Sequence, residues 1–181
     1  MTQALILVDI QNDYFPGGAM ELVGMTNASD NARTVLDSFR AGNTPLFHIQ
    51  HLAARSDATF FLPGTDGAEH HSAVAPQSGE TVIEKNFPNA FRATDLERQL
   101  RGAGIEQVTI VGAMSHMCID ATTRAAFDLG FECTVVEDAC TTRDLEFNGK
   151  AVPAGQVHTS FMAALAAPYA KVVSTANYLD G

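Results

Sequence analysis

Short apolar runs alternate along this chain with stretches of helical period, regularly enough to draft a fold. Leu5-Ile-Leu-Val8 is an unbroken apolar run ending in a carboxylate, Asp9, the pattern of a parallel strand buried on both faces. Gln11 to Gly24 carries Asn12, Pro16, Gly17, Gly18 and Gly24, so it reads as a loop at that strand's carboxyl end. Thr26 to Ala41 places Val35, Leu36 and Phe39 on one side and meets Gly42 as a stop, which predicts a helix. A second strand follows at Pro45 to His51. Leu52 to Gly79 is long and punctuated by Pro63, Gly64, Gly67 and Pro76, yet keeps aromatic and apolar residues. In a compact domain such a stretch is a functional loop, a lid or an interface.

Thr81 to Glu84 is a short third strand ending at Lys85, and Thr94 to Arg101 a helix with Thr94 as its expected cap and Glu97 at capping-box spacing. Val108 to Val111 is a fourth strand. Ser115 to Leu129 reads as a helix with Ser115 as N-cap and Gly130 as its stop, followed by a fifth strand at Glu132 to Val136. A last helix, Ala154 to Ala166, ends at Pro168 and feeds a sixth strand at Lys171 to Ser174. Six such alternations predict an α/β fold, a three-layer α/β/α doubly wound six-stranded parallel sheet, with one domain over residues 1–181.

Composition narrows the partners. The chain has 181 residues, enough for one full core and short for two, with 46% hydrophobic and 18% charged residues. A formal charge of -10 without any Lys/Arg run argues against a nucleic-acid footprint and against anionic membranes. The expected partner is a small-molecule substrate. The N-terminus lacks the pattern of a secretory signal, no segment approaches the length of a membrane span, and the three cysteines, Cys118, Cys133 and Cys140, lack metal-site spacing. Cytoplasmic location is the expectation.

In open parallel sheets, ligands bind beyond the carboxyl ends of the strands. Asp9, Lys85 and Cys118 each fall at or just past such an end. Taken singly, each has a plainer reading: a strand-end carboxylate, a solvated lysine and a small buried apolar residue. Together they make an activated nucleophile, because a carboxylate can take a thiol proton and return it to a leaving group while an ammonium balances the charge. With Ser115 as N-cap, Cys118 sits in the first helical turn, where the dipole favours thiolate.

Three ordered motifs carry a resemblance: Ala-Leu-Ile-Leu-Val-Asp9-Ile-Gln11-Asn-Asp13, Val-Ile-Glu-Lys85 with Asn-Ala-Phe91 after it, and Val-Gly112-Ala-Met-Ser-His-Met-Cys118. Over essentially its whole length the chain resembles the isochorismatase-like cysteine hydrolases, the superfamily of nicotinamidases, N-carbamoylsarcosine amidohydrolases and isochorismatases. The resemblance implies strand order 3-2-1-4-5-6, with Lys85 two strands from Asp9 and brought back by its long side chain or its loop. It also implies a cis peptide at Ala113-Met114 that turns the Met114 N–H toward that of Cys118 as an oxyanion hole. The implied reaction is hydrolysis of an amide or carbamoyl C–N bond through a thioester, with Asp9 as base. Vinyl ether hydrolysis, and an inactive binding or interaction protein on the same fold, are the alternatives.

Nicotinamidases carry an Asp-x-His metal motif after the second strand, but here that strand reads Phe47-His48-Ile-Gln-His51-Leu-Ala-Ala-Arg. His51, Glu69, His70 and His71 are the candidate metal ligands, though as loop residues they more simply support a lid or interface, and no metal or cofactor is expected. Expected pocket walls are Tyr14, Phe15, Phe87, Phe91 and His116, with Phe60 and Phe61 closing over them. Gln11 and Asp13 are expected to organise the first loop and the Lys85 ammonium. The family resemblance also implies a homo-oligomer, with the apolar Phe161 to Ala167 segment or the 52–79 loop as interface.

Overall fold

Alternation within each strand feeds two cores, one on either side of a central sheet. A computed structural model describes residues 2–181. In β1 (Gln3–Val8), Ala4, Ile6 and Val8 enter one apolar cluster and Leu5 and Leu7 the other, which is why the run carries no polar residue. The first cluster is closed by Leu96 and Leu100 of α2 (Leu96–Gly102), Ile119 and Ala126 at α3 (Asp120–Asp128), and Met162 and Leu165 of α4 (Ala154–Leu165). The second is closed by Ala32, Val35, Leu36 and Phe39 of α1 (Met25–Ala41) and by Tyr178 of α5 (Thr175–Leu179).

The main sheet has six parallel strands in the order β3-β2-β1-β4-β5-β8, formed with β2 (Leu46–His51), β3 (Thr81–Lys85), β4 (Gln107–Ala113), β5 (Glu132–Thr141) and β8 (Lys171–Val173). That is the expected three-layer order with β8 as its sixth strand. Its switch point lies between β1 and β4, whose register pairs Val8 with Gly112. A Cβ on Gly112 would lie 2.0 Å from the Val8 carbonyl oxygen, and its φ of +123° suits glycine alone, so the two strands close only around this residue.

Three elements depart from expectation. A two-stranded hairpin, β6 (Leu145–Phe147) and β7 (Lys150–Val152), stands apart from the main sheet and turns through Asn148 and Gly149, both at positive φ. Asn-Gly is a strong hairpin signal, and it was legible in the sequence. α2 begins after Asp95, whose side chain makes no cap; Thr94 Oγ1 accepts from the Leu96 N–H at 3.3 Å while donating to the Ala90 carbonyl at 2.6 Å, but Glu97 pairs with Arg101 rather than closing a capping box. Ser115 is not an N-cap: residues Ser115–Ile119 form one π-helical turn before α3, and Ser115 Oγ shares a 2.8 Å hydrogen bond with His158 Nδ1. Among the described residues, no helix is long and apolar enough to cross a membrane.

Candidate active site

Three strand ends converge on Lys85. Parallel register sets His51 directly beside Lys85 at the ends of β2 and β3, and Asp9 leaves β1 with its N–H on the Ile49 carbonyl. Asp9 adopts φ 53°, a left-handed conformation uncommon for a residue with a Cβ and one that surrounding structure must hold. From two strands away Lys85 reaches back: Nζ lies 2.7 Å from Asp9 Oδ2, 2.8 Å from His51 Nδ1 and 3.4 Å from Cys118 Sγ. Asp9, Lys85 and Cys118 are all buried, and Asp9 Oδ1 has no hydrogen-bond partner.

Electrostatics here run against expectation for the thiol. Burial and the Asp9 carboxylate push the Cys118 thiol pKa well up, and the nearby Lys85 only partly opposes them. The resting group is a thiol with a base beside it, not a preformed thiolate. Burial disfavours the Lys85 charge, but the Asp9 carboxylate, with its hydrogen bond, holds its pKa up, so the ammonium persists. His51 is lowered by burial and then by Lys85, which keeps its imidazole neutral.

The supporting residues divide. Gln11 is fully buried, donates to the carbonyls of His51 and Ala68, and accepts from the His51 N–H, so it splints the end of β2. Asp13 does not touch Lys85. Its carboxylate accepts from the Phe61 N–H at 2.7 Å and the Ala19 N–H at 3.2 Å, tying the first loop to the long one. A Cβ on Gly67 would meet that carboxylate at 2.2 Å, which explains a glycine there.

Beside this cluster opens a cleft of about 550 Å³ lined by His51, Phe60, Phe61, Phe87 and Met117 among others. Phe87, Phe60 and Phe61 all line this cleft. Tyr14 and Phe15 do not: both are buried in the core, Tyr14 against Phe60 and Phe61, and Phe15 stacked on His71. Phe91 packs on Phe131 in the opposite core, and His116 is held by Thr142 at 2.6 Å, outside the cleft lining. Aromatic type suggested a wall, but packing against the 52–79 loop claims Tyr14 and Phe15, and the core beneath the other face of the sheet claims Phe91.

Of the metal candidates, Glu69 is exposed and His71 accepts from the Ala73 N–H. His70 pairs with Gln11 through a β-bridge. The one triplet of ligand-type atoms close enough to share an ion, among the described residues, is Asp9, His51 and Cys118, within 4.8 Å of one another. Lys85 Nζ sits among them, bonded to all three. The Ala113-Met114 peptide bond is cis, and the π turn that follows it carries Cys118.

The isochorismatase domain family model matches residues 3–177. The chain belongs to the isochorismatase family. It is 49% identical over 179 residues to the isochorismatase family protein YddQ of Bacillus subtilis, covering 99% of each chain. It is 27% identical over 157 residues to nicotinamidase 3 of Arabidopsis thaliana, covering 80% of this chain and 76% of the other. Among solved structures, an isochorismatase hydrolase from Oleispira antarctica superposes with a TM-score of 0.96 at 51% identity, covering 99% of this chain and 97% of that one. Members of this family are hydrolases, amidases among them.

Proposed function

We propose that this hydrolase cleaves the C–N bond of a small amide or carbamoyl compound through a thioester on Cys118. The observation that carries the reading is the buried Lys85 ammonium bonded at once to Asp9 Oδ2 and to Cys118 Sγ, with Asp9 Oδ1 left unpartnered. A buried acceptor without a partner is rare and calls for a use. Here the use is the thiol proton. As the sulfur adds to the amide carbonyl, Asp9 takes that proton, and the negative charge moves from carboxylate to sulfur to carbonyl oxygen under the constant field of Lys85. The backbone N–H groups of Met114 and Cys118 receive the oxyanion. Asp9 returns the proton to the leaving nitrogen, ammonia or amine departs, and a water deprotonated by Asp9 opens the thioester to the acid.

The relative named as a nicotinamidase supports amide over vinyl ether chemistry, as does the cysteine itself. No cofactor has a step in this scheme. Cytoplasmic location, supported by three free and buried cysteines, belongs to the same reading. So does a homo-oligomer, whose presence sedimentation would decide. The test of function is an ammonia-release screen over primary amides, carbamoyl and ureido compounds, run beside the Cys118→Ala protein. At least one compound should be hydrolysed by the native chain alone, and equal rates in both proteins would sink the mechanism.

A further inference from the structure

We propose that His51 is a substrate-recognition residue: a neutral imidazole whose Nδ1 is committed to Lys85 and whose Nε2–H is the donor offered to an uncharged amide in the cleft. The inference rests on the amide-hydrolase reading and names the substrate class it serves.

Proton counting fixes the tautomer. An ammonium has three N–H donors and no acceptor. The three donors of Lys85 go to Asp9 Oδ2 at 2.7 Å, His51 Nδ1 at 2.8 Å and Cys118 Sγ at 3.4 Å. His51 Nδ1 must therefore present its lone pair, which leaves the ring proton on Nε2. An imidazolium would put a second cation against the first, and Asp9 Oδ2, at 3.9 Å from Nδ1, is too distant to accept from it.

The backbone that carries the ring is held in place. Gln11 clamps the His51 backbone from both sides, with the His51 N–H donating to Oε1 at 2.8 Å and Nε2 donating to the His51 carbonyl at 2.9 Å, and Phe61 packs its ring 5.8 Å away. His51 Nε2 has no partner among the described residues, while the side chain is 20% exposed and lines the cleft.

The rest of the cleft sets the class. Arg55 and Asp57, its charged pair, close on each other at 2.9 and 2.6 Å, and Asn86 Nδ2 is bonded to the Leu52 carbonyl. Phe60, Phe61, Phe87 and Met117 are apolar. Besides the exposed Thr59 hydroxyl, the cleft thus offers an uncommitted neutral donor beside the nucleophile, and its two charged side chains are paired with each other at the solvent edge. It fits an amide with an apolar or aromatic body, no net charge and one hydrogen-bond acceptor besides the reacting carbonyl. Donor and nucleophile address one molecule, since a His51 ring nitrogen and Cys118 Sγ lie within 4.8 Å.

Two readouts test this without requiring catalysis. Long-range proton–nitrogen NMR of histidine-labelled protein between pH 6 and 9, assigned with His51→Gln, should show His51 protonated at Nε2 and bare at Nδ1; an Nδ1–H tautomer or an imidazolium overturns the proposal. Calorimetric titration of the Cys118→Ala protein with nicotinamide and benzamide compares two rings of the same shape, one of which has an acceptor. Nicotinamide should bind about fivefold tighter, the effect of one hydrogen bond. The ratio should fall to one in His51→Phe and persist in part in His51→Gln, whose amide can both accept from Lys85 and donate. Equal affinities, no binding of either amide, or a ratio unchanged in His51→Phe overturns it. If the NMR and binding results hold while the ammonia screen finds no hydrolysis, the reaction is misread and His51 is not.

Discussion

Asp9 and Glu80 are both carboxylates bound to cations beside β2 and β3, yet their surroundings are completed differently. Glu80 is saturated: it takes Nε and Nη2 of Arg40 at 2.7 and 2.8 Å, the Gln77 N–H at 2.8 Å and His48 Nε2 at 2.9 Å. The Arg40 hydrogen bonds, with further help from Gln77 and His48, outweigh partial burial and pull its pKa down to about 2. Asp9 is fully buried and makes one close ion pair, and its second oxygen, without a hydrogen bond in the resting geometry, has the Cys118 thiol as its nearby proton source. A satisfied carboxylate holds helix α1 to the sheet, even though Nδ1 of its partner His48 is left bare; an unsatisfied carboxylate is placed to receive a proton. Cavity size is no guide to which is which, because a hollow of about 600 Å³ opens on Arg40 and Glu80, larger than the cleft beside His51.

Substitution should separate the two clusters. Asp9→Asn keeps the shape of the carboxylate but takes no proton, and kcat should fall roughly 10²- to 10⁴-fold, the contribution of a positioned base. Measured by steady-state ammonia release, a loss under tenfold would erase the distinction. Glu80→Gln should instead leave kcat within about twofold while lowering unfolding free energy by roughly 2–4 kcal/mol in urea melts, because Arg40 keeps its charge and loses its partner. Activity lost in proportion to Asp9→Asn would mean that the saturated cluster also serves chemistry.

Smaller effects sharpen the contrast through pH. His70, lowered by burial from 6.5 to about 4, remains neutral when folded, so the unfolded chain takes the proton first as pH falls. Stability tied to it is complete above about pH 6.5 and declines down to about 4; His48 acts in the same direction. Calorimetry should show Tm falling by roughly 3–6 °C across that window, with a shallower fall in His70→Gln. An unchanged slope in that variant would show that His70 is not the sensor. Cys118 gives the mildest readout: with its thiol pushed up, iodoacetamide should react slowly at neutral pH and keep accelerating above pH 9. A plateau near pH 7 would restore the thiolate that the helix-start position suggested.

Much of the fold is legible in the chain itself. Unbroken apolar runs gave the parallel strands, because only a strand covered on both faces lacks polar alternation. Strand ends located Asp9, Lys85 and Cys118 for the same reason. The environment of the thiol was not legible: dipole and lysine argue for acidity, but depth of burial, a property of the folded core, decides the sign. Nor was the role of His51, which needs the β2–β3 register that pairs it with Lys85. Tyr14, Phe15 and Phe91 are not separable by type, since an aromatic suits a core as well as a wall: the path of the 52–79 loop decides the first two, and packing on Phe131 decides Phe91. The Asn148-Gly149 hairpin, by contrast, was available and missed.

The central claim is that the unsatisfied cluster makes a covalent bond through Cys118. Intact-mass spectrometry of enzyme quenched during turnover of an amide found by the ammonia screen measures this directly. The account predicts an added acyl mass on the peptide containing Cys118, released by hydroxylamine and absent from Cys118→Ala. Steady ammonia release with no adduct, and with the Cys118→Ala protein equally active, would contradict it.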